Sequence, residues 1–486
     1  MYLGFDLGTS GLKTVICDQN QTIIAQNKQT LSVDRPYSKW SEQDPNRWWD
    51  AVVSSLSELK QSVPEILAQV KSIGIAGQMH GAVLLDIQGE VLRPAILWND
   101  VRSSNECNEL EQLPIDVKKL SGNPIFPGFT SPKLLWVYNN EPEVFKKIHK
   151  VLLPKDYIRY RMSGDFISEM SDAAGTLWLD VQNRQWDEQL LNATHLSISQ
   201  MPTLVEGTSY GGKLKSDLCK DFGLEKKVII AGGAGDNAAG AIGIGAVSPG
   251  QAFISLGTSG VIFVCNEQYL PKPEDAIHTF CHALPNTWHQ MSVMLNASSC
   301  LEWLAKLMQT DVSTLMDEVQ LEDIPSDLIF LPYLSGERTP HNDANAKGVF
   351  FGMSATTSRS SLTLAVLEGV AYAFADGLDP LIASGAKVDR LSVIGGGARS
   401  QLWGQILADV LKQELTYHED AEVGPAFGAA RLARLAMTGE KVSDVCKTPP
   451  IKNTIRPNLK KQAYYQTRLA RFRRLYALLK PEFSSL

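Results

Sequence analysis

Short apolar runs rich in β-branched residues alternate along this chain with stretches in which apolar positions recur every three or four residues. That is the mixed pattern of an α/β protein. Residues 2–7 form the first short run. Gly8-Thr9-Ser10-Gly11 turns it into a second at 12–17, and the polar residues 18–21 turn that into a third at 22–26. Strand, glycine turn, strand is a hairpin, unlike the strand-to-helix phosphate loops of the dinucleotide-binding and Walker types. Asp44-Pro45 predicts a helix start, with Asp as N-cap and Pro in the first turn, and Trp48, Val52, Leu56 and Leu59 fall on its core-facing side. Residues 72–76 predict a buried strand leading into Gly77-Gln78-Met79-His80-Gly81; residues 82–85 read as its continuation, and Gly89 as a turn. A polar cluster follows at 98–102, then a Gly/Pro-rich ordered loop at 122–132 carrying Phe126 and Phe129. Residues 228–230 predict another buried strand, after which small residues open a helix. Asp236 and Asn237 stand at that turn between glycines, where a ligand can approach the backbone closely; capping the helix is the alternative role for the carboxylate.

A repeat organises the whole. Leu7-Gly8-Thr9-Ser10-Gly11 recurs unchanged as Leu256-Gly257-Thr258-Ser259-Gly260, and both copies leave an apolar strand, enter another and reach a cysteine, Cys17 or Cys265. A second echo is that residues 72–77 and 392–397 each end a strand in glycine. Two domains of related topology, 1–245 and 246–486, follow from this, joined near 246–250 with a cleft between the hairpins. Backbone N–H groups and hydroxyls at such turns suit phosphate oxygens. Thr9 and Ser10 on one hairpin, with Gly257 and Thr258 on the other, could therefore hold one nucleotide from both sides. Lys13 could neutralise a phosphate. Asp6 stands before the first hairpin, where Ser255 stands before the second, and its carboxylate suits Mg²⁺ held through water. Residues 393–400 end a strand and open a helix. Gly396 and Gly397 leave room for a flat nucleoside beside Ser400, unless the glycines serve only tight packing. The small-residue helix at 424–430 reads as close packing at a domain hinge.

Composition narrows the classes. With 486 residues, 44% of them hydrophobic and 20% charged, the chain has soluble-protein usage and is too long for one core. A net charge of −7 leaves no basic excess for nucleic acid. No apolar run reaches the ~20 uninterrupted residues of a membrane span, and the N-terminus enters a strand without a leader pattern. Seven scattered cysteines without metal-type spacing read as buried thiols of a reducing compartment, so a cytoplasmic protein is expected.

With these residues in hand, the chain resembles the FGGY family of carbohydrate kinases nearly end to end. The resemblance is carried by residues 6–13, Gly77-Gln78-Met79-His80-Gly81, Trp98-Asn99-Asp100, residues 132–136 and 171–176, Gly235-Asp236-Asn237, residues 255–260 and residues 395–400. The Gln-Met-His-Gly segment is similar to that of the members acting on xylulose. Two positions depart from the family pattern: Ala234 lengthens the usual glycine run before Asp236, and Ser361 replaces an acidic, amide or His residue in the signature at 348–368. The resemblance implies a two-domain actin/hexokinase-like (ribonuclease H-like) fold with a duplicated core and an interdomain cleft. It also implies ATP-dependent phosphorylation of D-xylulose at its 5-hydroxyl, with Mg²⁺ accompanying ATP. It leaves a homodimer open and calls for neither nucleic acid nor membrane. By the same resemblance Asp236 is the general base, and Met79, His80, Trp98 and Asn237 surround the ketose. Asp6 orders the water shell of the metal. Thr9, Ser10, Lys13, Gly257 and Thr258 serve the phosphates, and Gly396, Gly397 and Ser400 the nucleoside. A sister kinase for another ketose, a polyol or a sugar acid is the near alternative. A nucleotide-switched partner-binding protein of the same fold is the distant one.

Several residues stay open at this stage. His278, His282 and His289 are separated by Pro285-Asn286 and predict strand–turn–strand rather than a metal site. Lys155-Asp156 suits either the sugar pocket or the start of the following segment, and Asp172 shares that ambiguity. Arg338-Thr339-Pro340-His341 suits either the nucleotide border or an ion-paired loop. The basic run at 460–474 predicts an amphipathic helix docked by its apolar face, with its charges solvated.

Overall fold

The computed structural model describes residues 1–319, 327–419 and 424–485. In the first sheet β1 (Tyr2–Gly8), β2 (Gly11–Cys17) and β3 (Ile23–Thr30) are antiparallel. On the other side of β1 lie β4 (Ser72–Gly77), then, beyond an antiparallel edge strand β5 (Tyr210–Lys213) in sequence, the parallel β6 (Ile229–Ala231); the order is β5-β6-β4-β1-β2-β3. The second sheet repeats the plan. It contains β7 (Gln251–Leu256), β8 (Gly260–Asn266), β9 (His278–Cys281), β10 (Trp288–Met294), β11 (Arg390–Ile394), β12 (Leu415–His418) and β13 (Ile451–Ile455). Their order is β9-β10-β8-β7-β11-β12-β13. Both repeated pentapeptides therefore turn the first hairpin of a sheet, and both glycine-ended strands, β4 and β11, are its parallel neighbours. His278, His282 and His289 lie in and around the β9–β10 hairpin, and no metal-type cluster of His, Cys, Asp or Glu occurs among the described residues.

Helices cover both sheets. In α1 (Pro45–Ser62) the Asp44 side chain accepts from the Asn46 N–H, and Trp48, Val52, Leu56 and Leu59 pack with Leu3, Phe5, Ile73 and Ile75. The remaining helices used below are α2 (Pro154–Ser163), α3 (Asp236–Ile244), α4 (Ser298–Leu307), α5 (Arg359–Ala383), α6 (Gln401–Leu411), α7 (Pro425–Thr438) and α8 (Gln462–Phe483). By length and composition α5 could cross a membrane, but 94% of its apolar stretch is buried, as the spine of the second core. Its N-cap is Ser358, which accepts from the Ser361 N–H, so the departure at Ser361 is a helix-start change.

The helix α7 comes from the second half of the sequence and lies on the first sheet. A Cβ on Gly4 would stand 2.0 Å from the Ala426 carbonyl oxygen, one on Gly74 1.9 Å from that of Ala429, and one on Gly428 1.8 Å from that of Ala239. Only glycine permits that approach, which explains the small residues at 424–430. The two halves are thus stitched together beneath the cleft.

Three expectations change. Residues 82–85 do not continue β4: the chain turns at His80 (φ +69°), and Val83–Leu85 pairs with Lys150–Leu152 instead. The 122–132 loop ends at Phe129, because helix Thr130–Asn140 begins inside it. The charges of α8 are not all solvated. Arg468 is buried and pairs with Glu368 at 2.5 Å, and Arg473 reaches Asp376 at 2.6 Å. All seven cysteines are free and buried, as expected.

Candidate active site

Parallel strands bring two carboxylates to one place. Asp6 in β1 is level with Ala76 in β4, which is level with Ala234 in the two-residue strand Ala234–Gly235. The extra Ala234 is absorbed in this register, and Asp236 follows it as the first residue of α3. Asp236 Oδ1 accepts from the Asn237 N–H at 2.7 Å and from Asn237 Nδ2 at 2.9 Å, while Oδ2 has no hydrogen bond to a described residue. One oxygen thus serves the helix start and the other is available. Burial raises the Asp236 carboxyl to about 6, against the pull of the Asn237 bonds. Burial, and then the Asp236 charge, raise Asp6 to about 7, with Lys13 opposing. Lys13 is the cross-strand partner of Asp6 and lines a cleft of about 1370 Å³ that reaches Gly395, Gly396 and Phe427.

Beside Asp236 stands the turn after β4. Met79 packs against Gly235, and Met79 and His80 both pack against Gly175. Burial, then the Lys133 charge, lower the His80 imidazole to about 3, so it is neutral. Its Nδ1 is 2.6 Å from the Gly175 carbonyl. A carbonyl only accepts, so Nδ1 carries the proton and Nε2 is an acceptor. The left-handed backbone at His80 is held by Thr130 Oγ1 and Lys133 Nζ, which donate to its carbonyl at 3.2 and 2.9 Å. The first hairpin is tied to this turn. Thr9 Oγ1 donates to Gln78 Oε1 at 2.7 Å and accepts from the Trp98 indole N–H at 3.0 Å, while Gln43 Nε2 donates to the Thr9 carbonyl. Ser10 is exposed beside it.

Across the cleft the second hairpin is held from behind. The N–H groups of Ser298 and Ala297, at the start of α4, donate to the carbonyls of Gly257 and Thr258 at 2.8 and 2.9 Å, leaving Thr258 exposed. Gly395 and Gly397 pack on Leu256, whereas a Cβ on Gly396 would meet nothing within 4 Å, so open space lies over it. The Ser400 hydroxyl is committed to capping α6, accepting from the Trp403 N–H at 3.1 Å.

Sequence reasoning left Lys155, Asp156 and Asp172 open and did not name Arg159 or Glu169, which lie with them behind these residues. Lys155, Asp156, Arg159, Glu169 and Asp172 form a fully buried charge cluster, with Lys155 Nζ 2.6 Å from Asp156 and 3.2 Å from Asp172. It supports the site from below: Ser171 Oγ donates to Glu169 and accepts from the Gly235 N–H at 3.0 Å, next to Asp236. The adjacency of Lys155 and Asp156 was the visible signal, but only the fold closes the circuit. Lys133 and Gln78 lay inside recognised segments without an assigned role.

Two like-plan sheets, a shared cleft and paired carboxylates at strand ends define an actin/hexokinase-like phosphotransferase fold. Residues 1–243 match the N-terminal domain, and residues 252–437 the C-terminal domain, of the FGGY family of carbohydrate kinases. The chain belongs to that family. It is 51% identical over 484 residues to the xylulose kinase of Escherichia coli (strain K12), covering 99% of each chain. It superposes on the xyloylose kinase of Brucella ovis with a TM-score of 0.96 at 47% identity, and on the xylulose kinase of Rhodospirillum rubrum with 0.91 at 28% identity. Each comparison covers 99% of both chains. A kinase of this family that takes ATP works with a divalent cation. The Asp6 carboxylate fits that need, since it faces the cleft residue Lys13 and makes no hydrogen bond to a described residue.

Proposed function

We propose that the chain transfers the terminal phosphoryl group of ATP to the 5-hydroxyl of D-xylulose. The observation that carries this reading is the free oxygen of Asp236, beside the Met79–His80 turn and sharing a recess with Asp6. A sugar hydroxyl is a weak nucleophile, and Asp236 Oδ2 accepts its proton as the phosphoryl group is transferred. A carboxyl raised to about 6 is ionised at neutral pH yet basic enough for that task. His80 Nε2 accepts from a sugar hydroxyl, Asn237 holds Asp236 in place, and Met79 and Trp98 wall the pocket. Asp6 and Lys13 flank the transferred phosphate. Gly257 and Thr258 offer donors to the inner phosphates, and the space over Gly396 takes the nucleoside. Thr9 acts through Gln78 and Trp98 as well as through its turn, and Ser400 through the start of α6. Asp6 would hold Mg²⁺ through water, and the ion so held would neutralise charge on the phosphates. Residues 1–245 carry the sugar and 246–486 the nucleotide, in a cytoplasmic enzyme. A coupled ADP-release assay over pentuloses, glycerol and gluconate tests this directly. Turnover greatest with D-xylulose supports it, and turnover confined to glycerol or gluconate overturns it.

A further inference from the structure

Arg338 is a cation without a visible partner. Its side chain is largely withdrawn from water, and among the described residues its guanidinium makes no hydrogen bond and no ion pair. It lies over the face of Phe126, 5.1 Å from the ring centroid. Phe126 stacks on Phe129 at 6.3 Å, and Phe129 meets the His80 ring edge-on at 4.6 Å. Arg338 comes from the second half of the chain and these aromatics from the first, so both halves build this corner. The backbone that delivers Arg338 is fixed. Glu337 Oε1 accepts from the N–H groups of Arg338 and Leu295 at 2.7 and 2.9 Å. Next to it, the buried Thr339 hydroxyl accepts from the Val293 N–H and donates to the Ala276 carbonyl. One Glu337 oxygen is thereby occupied, while Oε2 is buried without a hydrogen bond to a described residue, and Glu337 forms no ion pair with the guanidinium.

No Arg338 nitrogen is both buried and unpaired, so its guanidinium donors stay open to a ligand, and the contact with Phe126 occupies none of them. A polar ligand beside His80 would accept from them. The direction is given by electrostatics. The Arg338 charge helps to lower both the His80 and the His278 imidazoles, whereas the shift of Asp236 arises from burial and from Asn237. Arg338 therefore bears on the His80 end of the pocket, away from the base. We propose that Arg338 is a specificity-determining sugar ligand that donates hydrogen bonds to the oxygens at the C1–C2 end of the ketose, remote from the hydroxyl that is phosphorylated. This rests on the reading of the site as a ketose kinase site and adds a residue to it from the opposite half of the chain.

The test compares Arg338→Gln and Arg338→Lys with the wild type, on D-xylulose and on 1-deoxy-D-xylulose, which lacks one of the oxygens in question. Arg338→Gln is expected to raise the KM for D-xylulose about ten-fold or more, with a much smaller fall in kcat and no change in the KM for ATP. Arg338→Lys should restore part of the loss, and both variants should lose less on the deoxy sugar than on D-xylulose. An unchanged KM in Arg338→Gln overturns the assignment, as does an equal loss on both sugars. If Arg338→Gln does not fold, Arg338→Lys decides by the same comparison of sugars. A wild-type enzyme that turns over no ketose overturns the ketose reading itself, whereas a wild type active on D-xylulose beside indifferent variants removes only Arg338.

Discussion

The two hairpins share five identical residues and close differently. In the first, Gly8 pairs with Gly11 around a two-residue turn, so Asp6 faces Lys13 across the ladder. In the second, Leu256 pairs with Gly260 around a three-residue turn, so Ser255 faces Val261. The surroundings account for the difference. Thr9 is gripped by Gln43, Gln78 and Trp98 from its own half, whereas the Gly257 and Thr258 carbonyls are drawn back by the start of α4. Tertiary contacts decided how one peptide turns, and with it what its neighbours do. The first hairpin presents a charged pair wired to the turn at Gln78-Met79-His80. The second presents neutral donors to the cleft. The same frame thus carries different side chains on its two sides.

That division can be broken or sharpened by substitution. The largest effect is expected at the base itself: Asp236→Asn should lower kcat by about 10²–10⁴-fold while leaving nucleotide binding intact, as measured by steady-state kinetics and calorimetry. In the wild type, kcat/KM should fall as pH drops through about 6, where Asp236 takes up its proton, and the residual activity of Asp236→Asn should lack that limb. A smaller effect should separate the two threonines. Thr258→Val removes one exposed donor and should weaken nucleotide binding about five-fold, with the KM for sugar unchanged. Thr9→Val breaks the link to Gln78 and Trp98, so it should raise the KM for sugar and lower Tm as well. Matching effects of the two variants would contradict the division.

The smallest effect concerns stability. The folded state holds a proton on Asp6 up to about 7, against an ordinary 3.8, so it binds more protons than the unfolded chain between those values. Stability of the ligand-free protein therefore declines as pH rises through that window. Asp6→Asn should remove the share of the decline due to Asp6, raising Tm by about 2–4 °C at pH 7.5 and leaving it nearly unchanged at pH 4, by differential scanning calorimetry. A lower Tm at pH 7.5 would show that Asp6 is framework and not a strained site residue.

Much of the frame was legible because it rests on local rules. The repeated pentapeptide, the Asp44-Pro45 helix start and the apolar face of α1 required no knowledge of distant partners. Asp236, Asn237, Met79 and His80 were legible as polar and apolar residues grouped at glycine-flanked turns, which the fold brings side by side. Their supports were not. The Thr9–Gln78 link spans 69 residues and the Ser171–Gly235 bond 64, and no periodicity reports such distances. The register change between the hairpins was hidden for the same reason, since α4 lies some 40 residues beyond the peptide it holds. Arg468 was misread because a basic helix face looks solvated until Glu368, 100 residues away, is seen beneath it.

On the proposed reading, the charged pair of the first hairpin acts in the phosphoryl transfer, while the second hairpin only holds the phosphates of the nucleotide. This difference is tested most directly by measuring kcat at saturating ATP, Mg²⁺ and D-xylulose for Asp6→Ser, which gives the first hairpin the residue of the second, beside Ser255→Ala. The account predicts at least a 10²-fold fall for Asp6→Ser and a change within about three-fold for Ser255→Ala. Comparable losses in the two variants, or a near-normal kcat in a folded Asp6→Ser enzyme, would contradict it.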